Sequence, residues 1–393
     1  MKKTKVYLPM ILALVFLMVV LIGAFIINKN KKNNQNQETN KVSRFIVNTT
    51  DVLFEKNKNM CYSPLSLFVT MCNSAELVDD AAAEEIVKAF GYNSLDEMKK
   101  DKEDILEKIT VTDIADQKIL LADSLWVFDK YLTDYGKEML LNNKKDFEFD
   151  IFCKEFYGAD INEWIEEKTD GRITKFYEDN EELCLSLVNA LVFDGEWRQK
   201  FASNTEGQFS LADGKEISVT YMLGNLEEMN AVDNNDYVAV QKEYLNGAGM
   251  ILVLPKEKEL DAFTTSENIS SVLNAFSSGE AKKMKVDLTM PKFAINDEYE
   301  EDDIKKILGK IGVNKVFEIN SWKKIVNSDN VLTKQETVIA ADEWGTKAAA
   351  VTSVGLAKPL VDKLTVKLDK PFLYVIEKDG IPLFIGTVYN PAE

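Results

Sequence analysis

From Lys41 to about Gly91 apolar side chains recur at helical spacing, with one break at Tyr62-Ser63-Pro64. Ser63 can cap a new helix there, and Pro64 can take its first turn, where a missing N–H is no loss. A further helix is predicted over Ile161–Lys168: Ile161, Trp164, Ile165 and Thr169 share a face, and Gly171 is placed to end it. After that the period changes. Leu185–Phe193 is an almost unbroken apolar run, the pattern of a strand covered on both faces. Met250–Leu254, closed by Pro255, reads the same way. Val286–Met290 alternates and predicts a half-buried strand, and Val366–Leu368, Phe372–Ile376 and Leu383–Tyr389 predict three more. The expected class is α+β, with N-terminal helices followed by large mixed β-sheets.

The N-terminal segment stands apart from this pattern. Residues 1–5 are basic through Lys2, Lys3 and Lys5, and residues 6–27 carry no charge. As a helix that stretch would be about 33 Å long, the thickness of a bilayer core. Secretory signals have shorter apolar regions ending in a small-x-small site, of which Ile22-Gly23-Ala24 offers little. An uncleaved transmembrane anchor is therefore expected, with a cleaved signal and a secreted product as the other reading. Residues 28–41, rich in Asn, Lys and Gln, cannot build a core and predict a flexible linker. Lysines on both sides of the span leave its orientation open. No Pro/Gly/Ser-rich linker interrupts residues 42–393, which predicts a single domain.

Composition then removes whole classes of function. The chain has 65 acidic and 47 basic side chains, a net charge of −18 and no basic patch beyond the linker, which argues against nucleic acid as a partner. It contains no histidine. Ser-His-Asp and Cys-His nucleophilic sites, and most zinc sites, need an imidazole. A carboxylate pair or a Ser-Lys dyad would survive this argument, but no motif points to either. No catalytic residue, metal or cofactor is expected. Cys61, Cys72, Cys153 and Cys184 are too scattered for a disulfide framework; Cys61, Cys72 and Cys184 sit in apolar surroundings, so buried thiols are expected, with a disulfide as the other reading if the domain is extracellular.

Several of these segments, taken in order, resemble the signature segments of the serpin family. They are Tyr62-Ser63-Pro64-Leu65-Ser66-Leu67, Asn162 to Ile173, Leu187-Val188-Asn189-Ala190-Leu191-Val192-Phe193-Asp194-Gly195-Glu196-Trp197, Lys370-Pro371-Phe372-Leu373, and Leu383 to Pro391. The likeness runs over nearly all of residues 42–393. Two departures stand out. Ala75-Glu76-Leu77-Val78-Asp79-Asp80 replaces the family's Gly-rich turn, and Gln335 stands where the family usually has a histidine. The resemblance implies a polar cluster of Ser63, Ser66, Asn189 and Gln335 under the main sheet.

Glu343-Trp344-Gly345-Thr346-Lys347-Ala348-Ala349-Ala350-Val351-Thr352 resembles the family's loop hinge. Without the family, a run of small residues after a strand-like segment reads most simply as a flexible linker. As a strand, however, it would place Thr346, Ala348, Ala350, Thr352 and Val354 on one face, all small or apolar, and its charged residue, Lys347, on the other. The resemblance implies an exposed reactive-centre loop that a serine-type endopeptidase cuts, after which the hinge inserts into the main sheet and traps the acyl-enzyme. Such insertion is a known case of strand addition. Counting from Glu343 puts the cut after Pro359, and counting back from Pro371-Phe372 puts it after Leu360. Proline is poor at either side of a scissile bond, so Leu360–Val361 is expected, with Pro359 and then Leu356 as fallbacks. The partners implied are chymotrypsin-like, elastase-like or subtilisin-like serine proteases, with cysteine proteases as a further class. The protein is expected to act as a monomer on the outer side of a membrane. The alternative is a non-inhibitory serpin-fold binding protein, carrier or chaperone.

Overall fold

The computed structural model describes residues 40–110, 119–142, 147, 149–179, 185–327, 332–346 and 363–393. The apolar stretch 6–27, Cys184 and the loop 347–362 lie outside the described residues.

The principal helices are α1 (Asn40–Leu53), α2 (Pro64–Leu77), α3 (Asp80–Ala89), α4 (Leu95–Thr110), α5 (Gly158–Lys168), α6 (Ser266–Ser277) and α7 (Glu301–Lys310). The first strands are β1 (Met60–Tyr62), β2 (Ile119–Val127), β3 (Asp150–Cys153), β4 (Leu185–Phe193) and β5 (Gly195–Glu196). Then follow β6 (Ser203–Ser210), β7 (Glu216–Leu223), β8 (Glu227–Asp233), β9 (Tyr237–Glu243), β10 (Gly249–Pro255), β11 (Lys282–Pro291) and β12 (Phe293–Tyr299). The last are β13 (Leu332–Ala341), β14 (Gly345–Thr346), β15 (Lys363–Lys367), β16 (Phe372–Lys378) and β17 (Ile381–Val388).

Among the described residues these strands form a ten-stranded sheet, a five-stranded sheet in the order β12-β13-β4-β2-β3, and the pair β14-β5. In the large sheet β1-β17-β16-β10-β9-β8-β11-β7-β6 run in sequence, and β15 lies parallel to β11. Helix α2 sits between the two sheets. Every residue but Glu76 is buried, as expected of a helix with no solvent face. The Ser63 side chain caps it by accepting from the Ser66 N–H at 3.1 Å, and donates to the Leu383 carbonyl of β17 at 2.9 Å.

The unbroken apolar run of β4 has the explanation its pattern predicts. Leu185, Leu187, Leu191 and Phe193 belong to the main core, whereas Val188, Ala190 and Val192 face a second core with Trp126, Ile161, Trp164 and Ile165 beneath α5. Asn162 fixes the chain after α5: its carbonyl oxygen accepts from the N–H groups of Phe176 and Tyr177 at 2.7 and 2.9 Å.

Some boundaries differ from expectation. The break before Pro64 contains the short strand β1, paired with β17. Helix α5 starts three residues early because the Asp160 carboxylate accepts from the Tyr157 N–H, closing a capping box. The expected order of helices, then strands, is only partial: β2 and β3 precede β4, and α6 and α7 follow it. The replaced turn after Leu77 is built by Asp79, whose carboxylate accepts from the N–H groups of Ala81 and Ala82 and caps α3. Cys61 and Cys72 are buried free thiols, and Cys153 is free and half-buried.

Candidate functional site

Two neighbouring pairs of the five-stranded sheet are parallel, β2–β3 at one edge and β13–β4 in the middle, the latter running from Leu332↔Ser186 to Val338↔Val192. Its flanking pairs, β12–β13 and β2–β4, are antiparallel. Above Val338 the ladder with β4 ends, while β13 continues beside β12 to Ala341↔Phe293. A slot between parallel neighbours is one into which a returning chain fits antiparallel to both.

The chain leaving β13 turns back there. The Asp342 carboxylate accepts from the N–H groups of Trp344 (2.8 Å) and Gly345 (3.1 Å), and its own N–H donates to the Gly345 carbonyl (2.9 Å). After this turn, Gly345 and Thr346 pair antiparallel with Glu196 and Gly195, just beyond the end of β4. Gly345 has φ +153°, and a Cβ there would stand 2.2 Å from the Gly195 carbonyl oxygen, so no other residue fits.

A wall of aromatics holds the turn. The Trp197 indole N–H donates to the Asp342 carbonyl at 2.8 Å, and its backbone N–H to the Trp344 carbonyl at 2.9 Å. Lys242, buried behind Trp197 and Phe201, donates to the Gln199 carbonyl (2.7 Å) and to Glu227 (2.8 Å). Glu343 pairs with Lys292 at 2.5 Å and accepts from the Asn204 amide at 3.3 Å. Despite partial burial, these contacts hold its carboxyl below the usual range.

Beneath the slot lies a polar network. Ser66 of α2 donates to the Asn189 carbonyl oxygen of β4. The Asn189 amide donates to Asp123 of β2 at 3.2 Å, and the Asn73 amide donates to the other Asp123 oxygen. Lys102 of α4, 1% exposed, donates to the Asn73 carbonyl oxygen at 2.9 Å. Asp123 and Asn189 are register partners, as are Asn189 and Gln335, so one row crosses the sheet at this level. Burial pushes the Asp123 carboxyl up to about 7, against the opposing pull of Asn189, Lys102 and Asn73.

Of the expected cluster, the structure joins Ser66 to Asn189 and puts Ser63 one step away as the cap of α2. Gln335 is aligned with Asn189 by backbone register, and its side chain lies outside the described set. Glu343 and Gly345 stand in the turn, and the backbone of Thr346 is paired. Ala348, Ala349, Ala350, Thr352, Leu356, Pro359, Leu360 and Val361 lie outside the described residues. Sequence reading missed Asn73, Lys102 and Asp123. The available signal was three polar residues at otherwise apolar positions: Asn73 two turns after Ser66 on a buried helix, Lys102 on the apolar face of α4, and Asp123 inside an apolar strand.

Comparison with known proteins gives a consistent result. A family model described as "Serpin (serine protease inhibitor)" matches residues 40–391. Serpin A3-7 of Bos taurus is 27% identical, covering 87% of this chain and 85% of its own. A protein of Cyanea capillata named "Serine protease inhibitor" is 28% identical over 85% of this chain and 93% of its own. Among solved structures, the thermophilic serpin tengpin in its native state superposes with a TM-score of 0.78 at 25% identity, covering 90% of this chain and 94% of that one.

Proposed function

Because the chain belongs to the serpin family, whose members are generally protease inhibitors, we propose that it traps serine-type endopeptidases by inserting its cleaved loop between β4 and β13. The observation that carries this reading is the antiparallel pairing of Gly345 and Thr346 with Glu196 and Gly195. That pairing lies just beyond the end of β4, and in this reading it is the first rung of the strand that enters alongside β4.

Continuing the same register without a bulge sets Ala348 opposite Phe193, Ala350 opposite Leu191, Thr352 opposite Asn189 and Val354 opposite Leu187. Opposed residues in an antiparallel pair share a face. The small or apolar set thus meets the main core, and Thr352 meets the polar row through its hydroxyl. Ala349, Val351 and Ser353 turn towards the layer under α5, and Lys347 falls opposite Asp194. No position of the incoming strand buries an unpaired charge.

The loop is cut between Leu360 and Val361, with Pro359 and Leu356 as the neighbouring choices, and the targets are chymotrypsin-like, elastase-like or subtilisin-like enzymes. The test mixes the detergent-solubilised full chain with chymotrypsin and subtilisin. A complex that survives denaturing electrophoresis is expected, and mass spectrometry of the released peptide should begin at Val361. Cleavage with no surviving complex would refute inhibition and favour a binding or carrier role.

The same proposal places the domain outside a membrane, anchored through residues 6–27 and spaced from it by residues 28–41. Fractionation of cells expressing the full chain should find it with the membranes and open to externally added protease. Recovery as a soluble, shortened chain would instead mean that the segment is a cleaved signal.

A further inference from the structure

Residues 197–201, between β5 and β6, hold the turn at the end of β13 through three hydrogen bonds. The indole and backbone N–H groups of Trp197 donate to the carbonyls of Asp342 and Trp344, and the Phe201 N–H donates to the Glu343 carbonyl at 3.2 Å. A strand that leaves β13 and returns antiparallel beside it needs a reversal between the two, and residues 342–345 already make one, closed by the Asp342 carboxylate. The reversal is thus common to the shut sheet and to the proposed filled one. Whatever steadies it works in favour of entry.

Behind residues 197–201 stands a lysine at a core position. Lys242 shares a face of β9 with Val238 and Val240, both buried, and is itself only 1% exposed. A buried ammonium is tolerated only with acceptors around it. Lys242 has the Glu227 carboxylate of β8 at 2.8 Å and the Gln199 carbonyl at 2.7 Å, and it stands over the rings of Trp197 and Phe201, 5.5 and 4.7 Å from their centres. Backbone bonds hold the two ends of this segment: the Arg198 N–H donates to the Glu243 carbonyl at 2.9 Å, and the Ala202 N–H to the Leu223 carbonyl at 2.8 Å. Its middle, at Gln199, is held by Lys242.

We infer that Lys242 is a positioning residue for loop insertion: acting through residues 197–201, it keeps the reversal at 342–345 aimed into the slot between β4 and β13. This rests on the inhibitory reading of that slot. Without the lysine, Gln199 and the Phe201 ring lose the group that fixes them, and the three bonds to the reversal are held by a looser segment. Insertion should then slow, while the rate at which a protease cuts the loop should not change.

The experiment compares wild type with the double variant Lys242→Met, Glu227→Gln, which keeps side-chain length and leaves no unpaired charge buried. The full chain in detergent is mixed with chymotrypsin, and two quantities are read: the total rate of loop cutting, and the ratio of surviving complex to cleaved, released chain. The cutting rates should agree. The ratio should fall about fivefold in the variant, as for one charge-assisted hydrogen bond passed in part to the insertion barrier. Lys378→Met is the control. Lys378 is also buried and also donates to a backbone carbonyl, that of Ile109 at 3.1 Å, but it lies on β16, so Tm should fall and the ratio should hold. An unchanged or raised ratio in the double variant, a fall in the cutting rate alone, or an equal fall of the ratio in Lys378→Met each overturns the inference. If the double variant fails to fold, Glu227→Gln alone decides: it strips the lysine of its counter-charge, and the ratio should fall about twofold, with no fall refuting the role. A wild type that is cut without forming complex refutes the inhibitory reading, and this inference with it; a wild type that forms complex keeps that reading whatever the variants do.

Discussion

Thr346→Arg is expected to convert the proposed inhibitor into a substrate: the loop is still cut, but the protease goes free. In the proposed trapping, insertion of the hinge competes with hydrolysis of the acyl-enzyme, so the ratio of the two rates decides the outcome. In the proposed inserted strand, Thr346 stands at the entrance of the slot on the face that meets the main core. A guanidinium there would be buried without a partner, a penalty of about 3 kcal/mol or more. Each 1.4 kcal/mol on the barrier is about tenfold in rate, so insertion should slow by about a hundredfold and lose the race. The measurement is the ratio of surviving complex to cleaved chain on a denaturing gel. Thr346→Ala, which adds no charge, should still give complex. Equal complex from the Arg variant would mean that the hinge does not enter where the β14–β5 pair points.

Cutting the loop should make the protein far more resistant to heat. Seven register pairs of a parallel ladder now close the slot. A strand of ten or so residues placed between β4 and β13 would replace them with two antiparallel ladders. At about 1 kcal/mol net per added backbone hydrogen bond, the gain is on the order of 10 kcal/mol. For a domain of this size that raises Tm by on the order of 20 °C. Calorimetry before and after a single cut within residues 347–362 checks it. A cut chain that melts at or below the uncut one would show that the shut sheet is already the most stable arrangement, and would leave nothing to drive trapping.

Much of the scaffold was legible because local patterns carry it. The unbroken apolar run of β4 announced cover on both faces, and α5 and α2 supply it. Ser63 and Pro64 announced the start of α2. What stayed hidden depends on contacts distant in sequence. Nothing in the periodicity of Leu332–Ala341 says that it lies parallel to β4, and that one relation creates the slot. Asp123 in an apolar strand looks like a flaw until Asn73, Asn189 and Lys102 arrive from three other elements to surround it. The boundary errors have the same origin: β1 exists because β17 offers it an edge, and its own three residues carry little signal.

The position of the slot within the strand order fixes how the molecule changes size. A strand entering between β13 and β4 leaves both outer strands, β12 and β3, as the edges they already are, so no new adhesive edge is made. The sheet widens by one strand spacing, about 4.8 Å, all of it between two named neighbours. Helix α5 packs on β2 and β4, so in the proposed event it is expected to travel with them. The distance from α5 to β12 is therefore a built-in ruler of the event, short in the shut sheet and longer by one strand once the slot is filled.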